Sequence, residues 1–245
     1  MACEPDGWNI NDGCGALHPE NLIETVRSSG AVLGVCLDGD GDRGIFVDSE
    51  GQVRDGEDVL LTLGSRMKEQ GQLPDNTLVT TVMANLGLHA ALRERGIHVA
   101  VTPVGDRHVT AKMVEGGYGL GAETSGHVLF AGAGELTGDG LFTALQILSI
   151  PGVTKEGSAK AFVDFERYPQ ILTNVKVEQK PPLDSIHSIV ACRERIESSL
   201  GADGRVLLRY SGTENLCRVM VEGPDRTTVE SYAAELADAV RDSLA

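Results

Sequence analysis

Three aspartates separated by single glycines form the most chemically distinctive segment of this 245-residue chain. The segment runs from Asp38 through Asp40 and Asp42 to Arg43, between two short apolar runs. Carboxylates this close repel one another unless a cation neutralises them, and their hard oxygen atoms suit Mg²⁺ or Ca²⁺. The guanidinium of Arg43 beside them indicates that an anion also binds here. A divalent cation together with a phosphate group is the predicted occupant.

The acidic segment has two other interpretations. An aspartate- and glycine-rich turn between two strands is common without any ligand, and from the residues alone it stays open. An EF-hand loop fits worse. If Asp38 took its first position, Arg43 would stand where that loop needs glycine and Ser49 where it needs the bidentate glutamate.

A second polar segment covers residues 121–127, with the sequence Gly-Ala-Glu-Thr-Ser-Gly-His. Glu123, Ser125 and His127 offer a carboxylate, a hydroxyl and an imidazole, a set that suits hydrogen bonding to a polyol. A glycine-rich hairpin with a surface histidine is the alternative. Arg107 stands at the predicted start of a helix, just after Asp106 as a predicted N-cap, and is available to an anion.

A third segment, residues 209–214, has the sequence Arg-Tyr-Ser-Gly-Thr-Glu and lies between two predicted strands. A guanidinium, two hydroxyls and backbone N–H groups around a glycine make a good anion cradle. The residues concerned are Arg209, Ser211, Gly212, Thr213 and the following Arg218. A Ser-Gly-Thr turn beside a salt-bridged arginine is the alternative without a ligand.

Charge and composition indicate which kinds of binding partner and which cellular compartment suit this protein. The net charge of −15 disfavours nucleic acid and anionic membranes. No apolar run approaches a membrane span, and the first residues lack a secretory signal. Five cysteines include no CxxC pair, and Cys36 lies within an apolar run. Buried free thiols and a cytoplasmic location are therefore expected.

The elements that must position these residues follow from apolar periodicity. Helices are predicted over residues 19–28, 57–70, 86–95, 106–115, 140–148, 185–200 and 225–244. Strands are predicted over residues 31–37, 45–48, 77–83, 97–103, 118–123, 127–130, 171–177, 206–210 and 216–222. Residues 150–160 are predicted to form an exposed connection.

The order of these elements predicts an α/β fold. Alternating strands and helices in the middle of the chain imply mixed, mostly parallel sheet layers flanked by helices. Closely spaced strands near the end imply an antiparallel C-terminal α+β module. The predicted domains are residues 1–55, which carry the acidic segment, residues 56–160 and residues 161–245.

Taken together, the three polar segments resemble those of the α-D-phosphohexomutase family of four-domain enzymes, and they come in the family's order. Residues 38–43 are similar to its metal loop, residues 121–127 to its sugar-specificity loop and residues 209–214 to its phosphate loop. Five further segments resemble its bacterial glucosamine branch: residues 5–11, 83–88, 104–107, 137–140 and 168–172.

The resemblance implies a role for each candidate residue. Asp38, Asp40 and Asp42 would hold Mg²⁺ beside a phosphoserine. Arg43 would stabilise the transferring phosphoryl group, and His127 is a candidate proton shuttle. The implied substrate-binding residues are Arg107, Glu123, Ser125, His127, Arg209, Ser211, Gly212, Thr213 and Arg218.

The implied reaction is an intramolecular phosphotransfer that interconverts glucosamine 6-phosphate and glucosamine 1-phosphate through a bisphosphate. Hexosamine phosphates and bisphosphates are thus the expected ligands, and a homodimer is left open. Glucose or mannose phosphate chemistry of the same family is one alternative. A truncated protein that binds sugar phosphates without turnover is another.

Three departures from the family pattern qualify this assignment. Ala122 replaces a usual glycine, and Asn215 stands where the phosphate loop usually ends in proline. The family's N-terminal domain and about half of its second domain have no counterpart, and no Ser-His-Asn-Pro-like loop with the nucleophilic serine occurs. The missing N-terminal domain is an expected partner, and the chain alone is expected to have little or no mutase activity.

Overall fold

The computed structural model describes residues 1–132, 136, 138–212 and 214–244. The α-helices within those residues are α1 (Glu20–Ser29), α2 (Gly56–Glu69), α3 (Leu86–Glu94), α4 (Asp106–Gly116), α5 (Gly140–Leu148), α6 (Val153–Glu156), α7 (His187–Leu200) and α8 (Arg226–Leu244). The strands are β1 (Leu33–Leu37), β2 (Gly44–Asp48), β3 (Val53–Arg54), β4 (Thr77–Thr81), β5 (His98–Thr102), β6 (Leu120–Ala122), β7 (Val128–Phe130), β8 (Gln170–Lys176), β9 (Arg205–Tyr210) and β10 (Leu216–Glu222).

The chain divides into two units. The first comprises residues 1–84 and 88–165, and the second comprises residues 85–87 and 166–245. Residues on both sides of position 55 belong to the first unit. The finer division at that position stays a prediction.

The first unit contains two sheets. Strands β1, β2 and β3 pair in that order and antiparallel, with Leu37 opposite Gly44 at the end of the first pair. The other sheet has the order β5-β4-β6-β7, in which β4 pairs parallel with both neighbours and β7 runs antiparallel to β6. All five residues of β4 are buried, as a central parallel strand requires. The predicted helix-flanked, mainly parallel layer is confirmed.

The core of the first unit forms where α2, α3 and α5 cover these sheets. Its fully buried side chains include Phe46, Leu60, Leu78, Leu92 and Ile147. Helix α2 begins at an Asp55 capping box, whose carboxylate accepts the N–H groups of Glu57 and Asp58. The position of this helix matters for the site because its first turn contacts a polar hairpin described below.

The second unit is an antiparallel sheet in the order β8-β10-β9, packed against α7 and α8. Strand β10 alternates as expected for a period of two, with Cys217, Val219 and Val221 in the core below the helices. Arg218 lies between them on the opposite face. The predicted antiparallel α+β module is confirmed.

Residues 150–160 form the predicted exposed connection only in part, because two of its positions are buried. They include the single-turn helix α6, and the side chains of Val153 and Ser158 are buried. The Ser158 N–H donates to the carbonyl of Val32, and the Ser158 hydroxyl accepts the N–H of Ser49. The sequence signal was misleading because glycine and lysine residues surround the two anchoring positions.

The structure bears on two features that the composition indicated, the state of the cysteines and the length of the apolar helices. All five cysteines are free. Cys217 is buried, and burial raises the pKa of its thiol to about 11. Cys36 was expected to be buried, but it is only half-buried. In the part of the chain that the structure describes, no helix has the length and apolar character needed to cross a membrane.

Candidate functional site

The acidic turn (residues 38–43) is held in shape by hydrogen bonds within itself. It connects β1 to β2, and the Asp38 carboxylate accepts the N–H of Arg43 at 3.1 Å. The Gly41 N–H donates to the carbonyl of Asp38 at 3.2 Å, and the Asp38 N–H to the carbonyl of Arg43 at 3.3 Å. The antiparallel strands thus close the turn at its base, and Asp38 orders its interior.

The three carboxylates of the turn converge. Asp38, Asp40 and Asp42 each offer an oxygen atom, and these atoms lie within 4.8 Å of one another. Arg43 Nε lies 3.2 Å from Asp38 Oδ2 and 3.6 Å from Asp42 Oδ1. The carboxylates and the guanidinium therefore share one small region, as the sequence predicted.

The electrostatics of Asp42 favour a bound cation. Its pKa is raised chiefly by burial, and further by a hydrogen bond and the charge of Asp38 and by the charge of Asp40, while His127 opposes the shift. Asp42 Oδ1 is buried and has no hydrogen-bond donor among the described residues. A buried carboxylate oxygen in this state is unfavourable unless a ligand satisfies it. The all-carboxylate donor set fits a hard divalent ion such as Mg²⁺.

The polar hairpin (residues 121–127) joins β6 to β7. The Glu123 N–H donates to the carbonyl of His127, and the Gly126 N–H donates to the carbonyl of Glu123, both at 3.0 Å. Gly126 has φ of +90°, a conformation that favours glycine. A side chain there would also place its Cβ 2.3 Å from the carbonyl oxygen of Gly44. The glycine at 126 is therefore required by both backbone conformation and close approach.

The acidic turn and the polar hairpin form one site in the first unit. The Gly44 N–H donates to the carbonyl of Gly126 at 3.0 Å, and Arg43 forms an isolated antiparallel bridge with His127. His127 Nδ1 lies 3.1 Å from Asp42 Oδ2. His127 is only 7% exposed, so the alternative of a surface histidine is wrong.

The start of α5 also supports the acidic turn. The Gly140 N–H donates to the carbonyl of Gly41 at 2.9 Å. Asp139 caps this helix by accepting the N–H of Phe142 at 2.8 Å. Thr137, the first residue of the segment 137–140 that carries part of the family resemblance, lies outside the described residues.

Glu123, Ser125 and Arg107 have different surroundings. Glu123 Oε1 accepts the N–H of Gly105 at 2.8 Å, which ties the polar hairpin to the start of α4. Ser125 and Arg107 are exposed and therefore accessible to a ligand. The predicted N-cap of α4 is one residue off: Gly105 is the N-cap, and Asp106 is the first residue of the helix.

Sequence reasoning missed the support of the polar hairpin by α2. Glu57 is 2% exposed, and its Oε1 accepts the hydroxyl of Thr124 at 2.6 Å. The Gly56 N–H donates to the carbonyl of Thr124 at 3.3 Å. The capping pattern at Asp55 indicated where the helix begins, but no sequence signal indicated which loop Glu57 would contact.

The candidate anion site of the second unit is a row of polar side chains across three strands. Arg218 on β10 lies directly opposite Arg209 on β9 and Asn174 on β8. Like charges in opposed positions destabilise a sheet unless an anion lies between them. Arg218 Nη2 lies 3.5 Å from Glu214 Oε2, whereas its buried Nε has no hydrogen-bond acceptor among the described residues. This arrangement suits an anion.

The loop beside this row is ordered by side chains, one of which the sequence did not reveal. Ser211 is buried, and its hydroxyl accepts the N–H of Glu214 at 3.3 Å. Lys180 Nζ donates to the carbonyls of Ser211 and Glu214 at 2.9 and 2.7 Å. Gly212 is exposed, and Thr213 lies outside the described residues. Lys180 follows a predicted strand in a connection without any recognisable motif, so only the fold identifies it.

The predicted residues thus form two groups. The first unit brings together Asp38, Asp40, Asp42, Arg43, Glu123, Ser125 and His127, and it also holds Arg107. The second unit brings together Arg209, Ser211, Gly212 and Arg218. That the two groups share one substrate stays a prediction.

This combination of folds and motifs is that of the phosphohexomutase class of proteins, and two family models match the chain. The model for the phosphoglucomutase/phosphomannomutase alpha/beta/alpha domain III matches residues 55–168. The model for the C-terminal domain of phosphoglucomutase/phosphomannomutase matches residues 172–239. The chain belongs to the α-D-phosphohexomutase family, as its motifs predicted.

The sequence relatives include phosphoglucosamine mutases. That of Symbiobacterium thermophilum is 47% identical over 240 residues, which are 98% of this chain and 54% of the relative. That of Rhodococcus erythropolis is 46% identical over 240 residues, with the same two coverages. The chain spans about half the length of the curated relatives it matches.

Solved structures share the fold at low identity. A phosphoglucomutase/phosphomannomutase family protein from Burkholderia thailandensis has a TM-score of 0.73 and 20% identity, over 93% of this chain and 50% of the other. Aspergillus fumigatus N-acetylphosphoglucosamine mutase in complex with GlcNAc-6P and magnesium has a TM-score of 0.67 and 21% identity, over 96% and 54%. A serine-to-alanine variant of the same fungal enzyme, solved with glucose 1,6-bisphosphate, has a TM-score of 0.69 and 19% identity, over 95% of this chain and 53% of the other.

Proposed function

We propose that this chain is part of a phosphoglucosamine mutase that interconverts glucosamine 6-phosphate and glucosamine 1-phosphate through a phosphoserine and a bisphosphate. The observation that carries the proposal is the joining of the acidic turn to the polar hairpin, with Arg43 beside the carboxylates. In the proposal, a cation site, an anion partner and groups that hydrogen-bond to the sugar would therefore lie in one unit. The names of the sequence relatives support the choice of glucosamine phosphate over glucose or mannose phosphate.

The residues of the first unit have separate tasks in this proposal. Asp38, Asp40 and Asp42 would hold Mg²⁺, which neutralises charge on the transferring phosphoryl group. Arg43, kept in place by Asp38, stabilises the same group. Glu123 and Ser125 bind sugar hydroxyls. The magnesium complex of the fungal enzyme supports the choice of metal.

The remaining groups bind phosphate. Arg107 is available to an anion at the start of α4. In the second unit, Arg209 and Arg218 supply charge, and Ser211, Gly212 and Thr213 supply hydroxyl and backbone donors to the phosphate that does not react. The proton-shuttle role of His127 stays a prediction.

We assign the phosphorylated serine to sequence outside these 245 residues, because they contain no Ser-His-Asn-Pro-like loop and span about half of the relatives. A missing N-terminal domain is therefore a partner in the proposal. We also propose that the protein forms a homodimer. A cytoplasmic location is proposed as well, and the five free thiols support it.

The metal assignment is tested by Asp40→Ala. Because Asp40 is a metal ligand in the proposal, the variant should bind Mg²⁺ about a hundredfold more weakly than the parent chain. Loss of a residue that only orients a metal ligand already weakens metal binding by about 10- to 100-fold, so loss of a ligand itself should reach at least the upper end of that range. Calorimetric titration of the whole chain with Mg²⁺, and with glucosamine 1,6-bisphosphate in the presence and absence of Mg²⁺, measures both affinities. Unchanged Mg²⁺ affinity in Asp40→Ala would exclude this site.

The same samples test where the serine lies. The chain supplied with glucosamine 6-phosphate and a catalytic amount of bisphosphate should show no turnover. Turnover that disappears in Asp40→Ala would contradict the assignment of the serine to another segment. Micromolar bisphosphate affinity together with upstream coding sequence that lacks a serine loop would instead identify a binding protein without turnover.

The anion site of the second unit is tested by Arg209→Gln. Without phosphate at low ionic strength, the variant should be more stable by about 0.2–1 kcal/mol, because the opposed charge across from Arg218 is relieved. Inorganic phosphate should raise the unfolding midpoint of the parent chain but not of the variant. Thermal unfolding with and without phosphate measures both effects.

Arg226→Gln is the matched control, because Arg226 is exposed on α8 and pairs with Glu230. It should respond to phosphate as the parent chain does. If Arg209→Gln is stabilised by phosphate as strongly as this control, the row of arginines is not the anion site.

A further inference from the structure

The two carboxylate oxygens of Asp42 have different surroundings. Oδ2 lies 3.1 Å from His127 Nδ1. Oδ1 is buried, accepts no hydrogen bond among the described residues, and has Arg43 Nε at 3.6 Å. One oxygen thus lies against the imidazole, and the other has no hydrogen-bond partner among the described residues and is available to a cation.

The imidazole of His127 is fixed in place. Its backbone forms the bridge to Arg43, and its carbonyl accepts the N–H of Glu123. The ring packs against Gly138 so closely that a Cβ there would lie 2.3 Å from His127 Cε1. With 7% exposure, the ring has little freedom to turn away from Asp42. A buried ring that packs against Gly138, on a residue whose backbone is held by Arg43 and Glu123, suits orientation of a neighbour better than proton exchange with a mobile ligand.

We propose that His127 is a positioning residue of the metal site, whose Nδ1 holds Asp42 Oδ2 so that Oδ1 faces the cation. The inference rests on the proposed metal site. Metal ligands generally need such an outer partner to fix their orientation, and loss of the partner weakens metal binding. His127 also belongs to the polar hairpin, so the contact couples the cation to the segment proposed to bind the sugar. Binding of the sugar phosphate and of the cation should then strengthen each other by the same factor.

Two substitutions separate this role from simple packing. The amide nitrogen of asparagine is one bond from Cγ, as Nδ1 is in histidine, so His127→Asn keeps a donor near Asp42 Oδ2. The amide nitrogen of glutamine lies further out, near the position of Nε2, so His127→Gln removes that donor while keeping a polar side chain. The readout is the affinity of the whole chain for Mn²⁺ without sugar, measured from the free-ion electron paramagnetic resonance signal, with Mn²⁺ as a probe for a hard-oxygen site.

The expected result is a loss of affinity of about tenfold in His127→Gln and within about threefold of the parent chain in His127→Asn. His98→Gln, which removes an exposed histidine on β5, should bind as the parent does. Equal affinities of His127→Gln and the parent would overturn the positioning role, and so would equal losses in the two His127 variants, because packing alone would then explain them.

Asp40→Ala distinguishes failure of this inference from failure of the metal site. If the parent binds Mn²⁺ and Asp40→Ala does not, the site stands and the His127 variants decide the positioning role. If the parent binds no Mn²⁺, or Asp40→Ala binds equally well, the proposed metal site fails and the role of His127 fails with it.

Discussion

Replacing Arg54 by methionine should lower the free energy of unfolding of the first unit by about 3–5 kcal/mol. Asp48 is completely buried on β2, and Arg54 Nε lies 2.9 Å from its Oδ2. Arg54 Nη1 also contacts Asp164 at 2.5 Å, and the guanidinium lies over the Phe162 ring. Burial alone lowers the pKa of Arg54, but Asp164 and Asp48 raise it overall. Methionine keeps most of the volume and leaves the Asp48 charge buried without its cation.

Hydrogen exchange of the β2 amides under increasing urea measures this effect within the first unit. Asp164→Asn is the matched control, because the Asp164 side chain is 79% exposed and an exposed pair contributes about 0–1 kcal/mol. The double variant Asp48→Asn with Arg54→Met should recover much of the loss, since it no longer buries a lone charge. A loss in Arg54→Met no greater than in Asp164→Asn would contradict this account.

Glu222→Ala should lower the free energy of unfolding of the second unit, also by about 3–5 kcal/mol. Glu222 is completely buried at the end of β10, with its Oε2 2.6 Å from Arg205 Nη2. Its Oε1 accepts the N–H of Leu86 at 2.7 Å, and Gln170 Nε2 lies 3.4 Å from Oε2. Alanine therefore removes the acceptor of a backbone donor and the partner of Arg205 in one change.

Protection of the β10 amides reports on this change. Glu222→Gln keeps an acceptor for the N–H of Leu86, so it should lower the free energy of unfolding less than Glu222→Ala does. Glu230→Ala removes one member of an exposed pair on α8 and should change stability by about 0–1 kcal/mol. Comparable protection in Glu222→Ala and Glu230→Ala would show that the buried pair is not a main source of stability.

Local patterns were sufficient to predict the elements of the fold. Helix α5 spans the predicted residues 140–148, and strand β10 spans the predicted residues 216–222. Both have uninterrupted periodicity between clear breaking signals. The convergence of the three carboxylates was predictable because Asp38, Asp40 and Asp42 are close in sequence, so strand pairing alone brings them together.

Features that depend on packing between distant segments were not predictable. The burial of His127 requires Gly138 and the acidic turn to meet its ring, and the anchoring of Ser158 requires Ser49 and Val32. Lys180 reaches carbonyls on a loop that lies far along the chain. In each case the residue type permits many environments, and only the tertiary structure selects one.

Backbone hydrogen bonds from Gly44 to Gly126 and from Gly140 to Gly41 make the acidic turn a shared construction of three chain segments. Residues 38–43 alone would therefore not keep this geometry outside the folded protein. A synthetic peptide copied from residues 31–48 would carry every carboxylate yet lack the scaffold that sets their spacing. Transplanting the acidic turn into another protein would require all three segments, and exchange of the polar hairpin alone would disturb the spacing of the three carboxylates too.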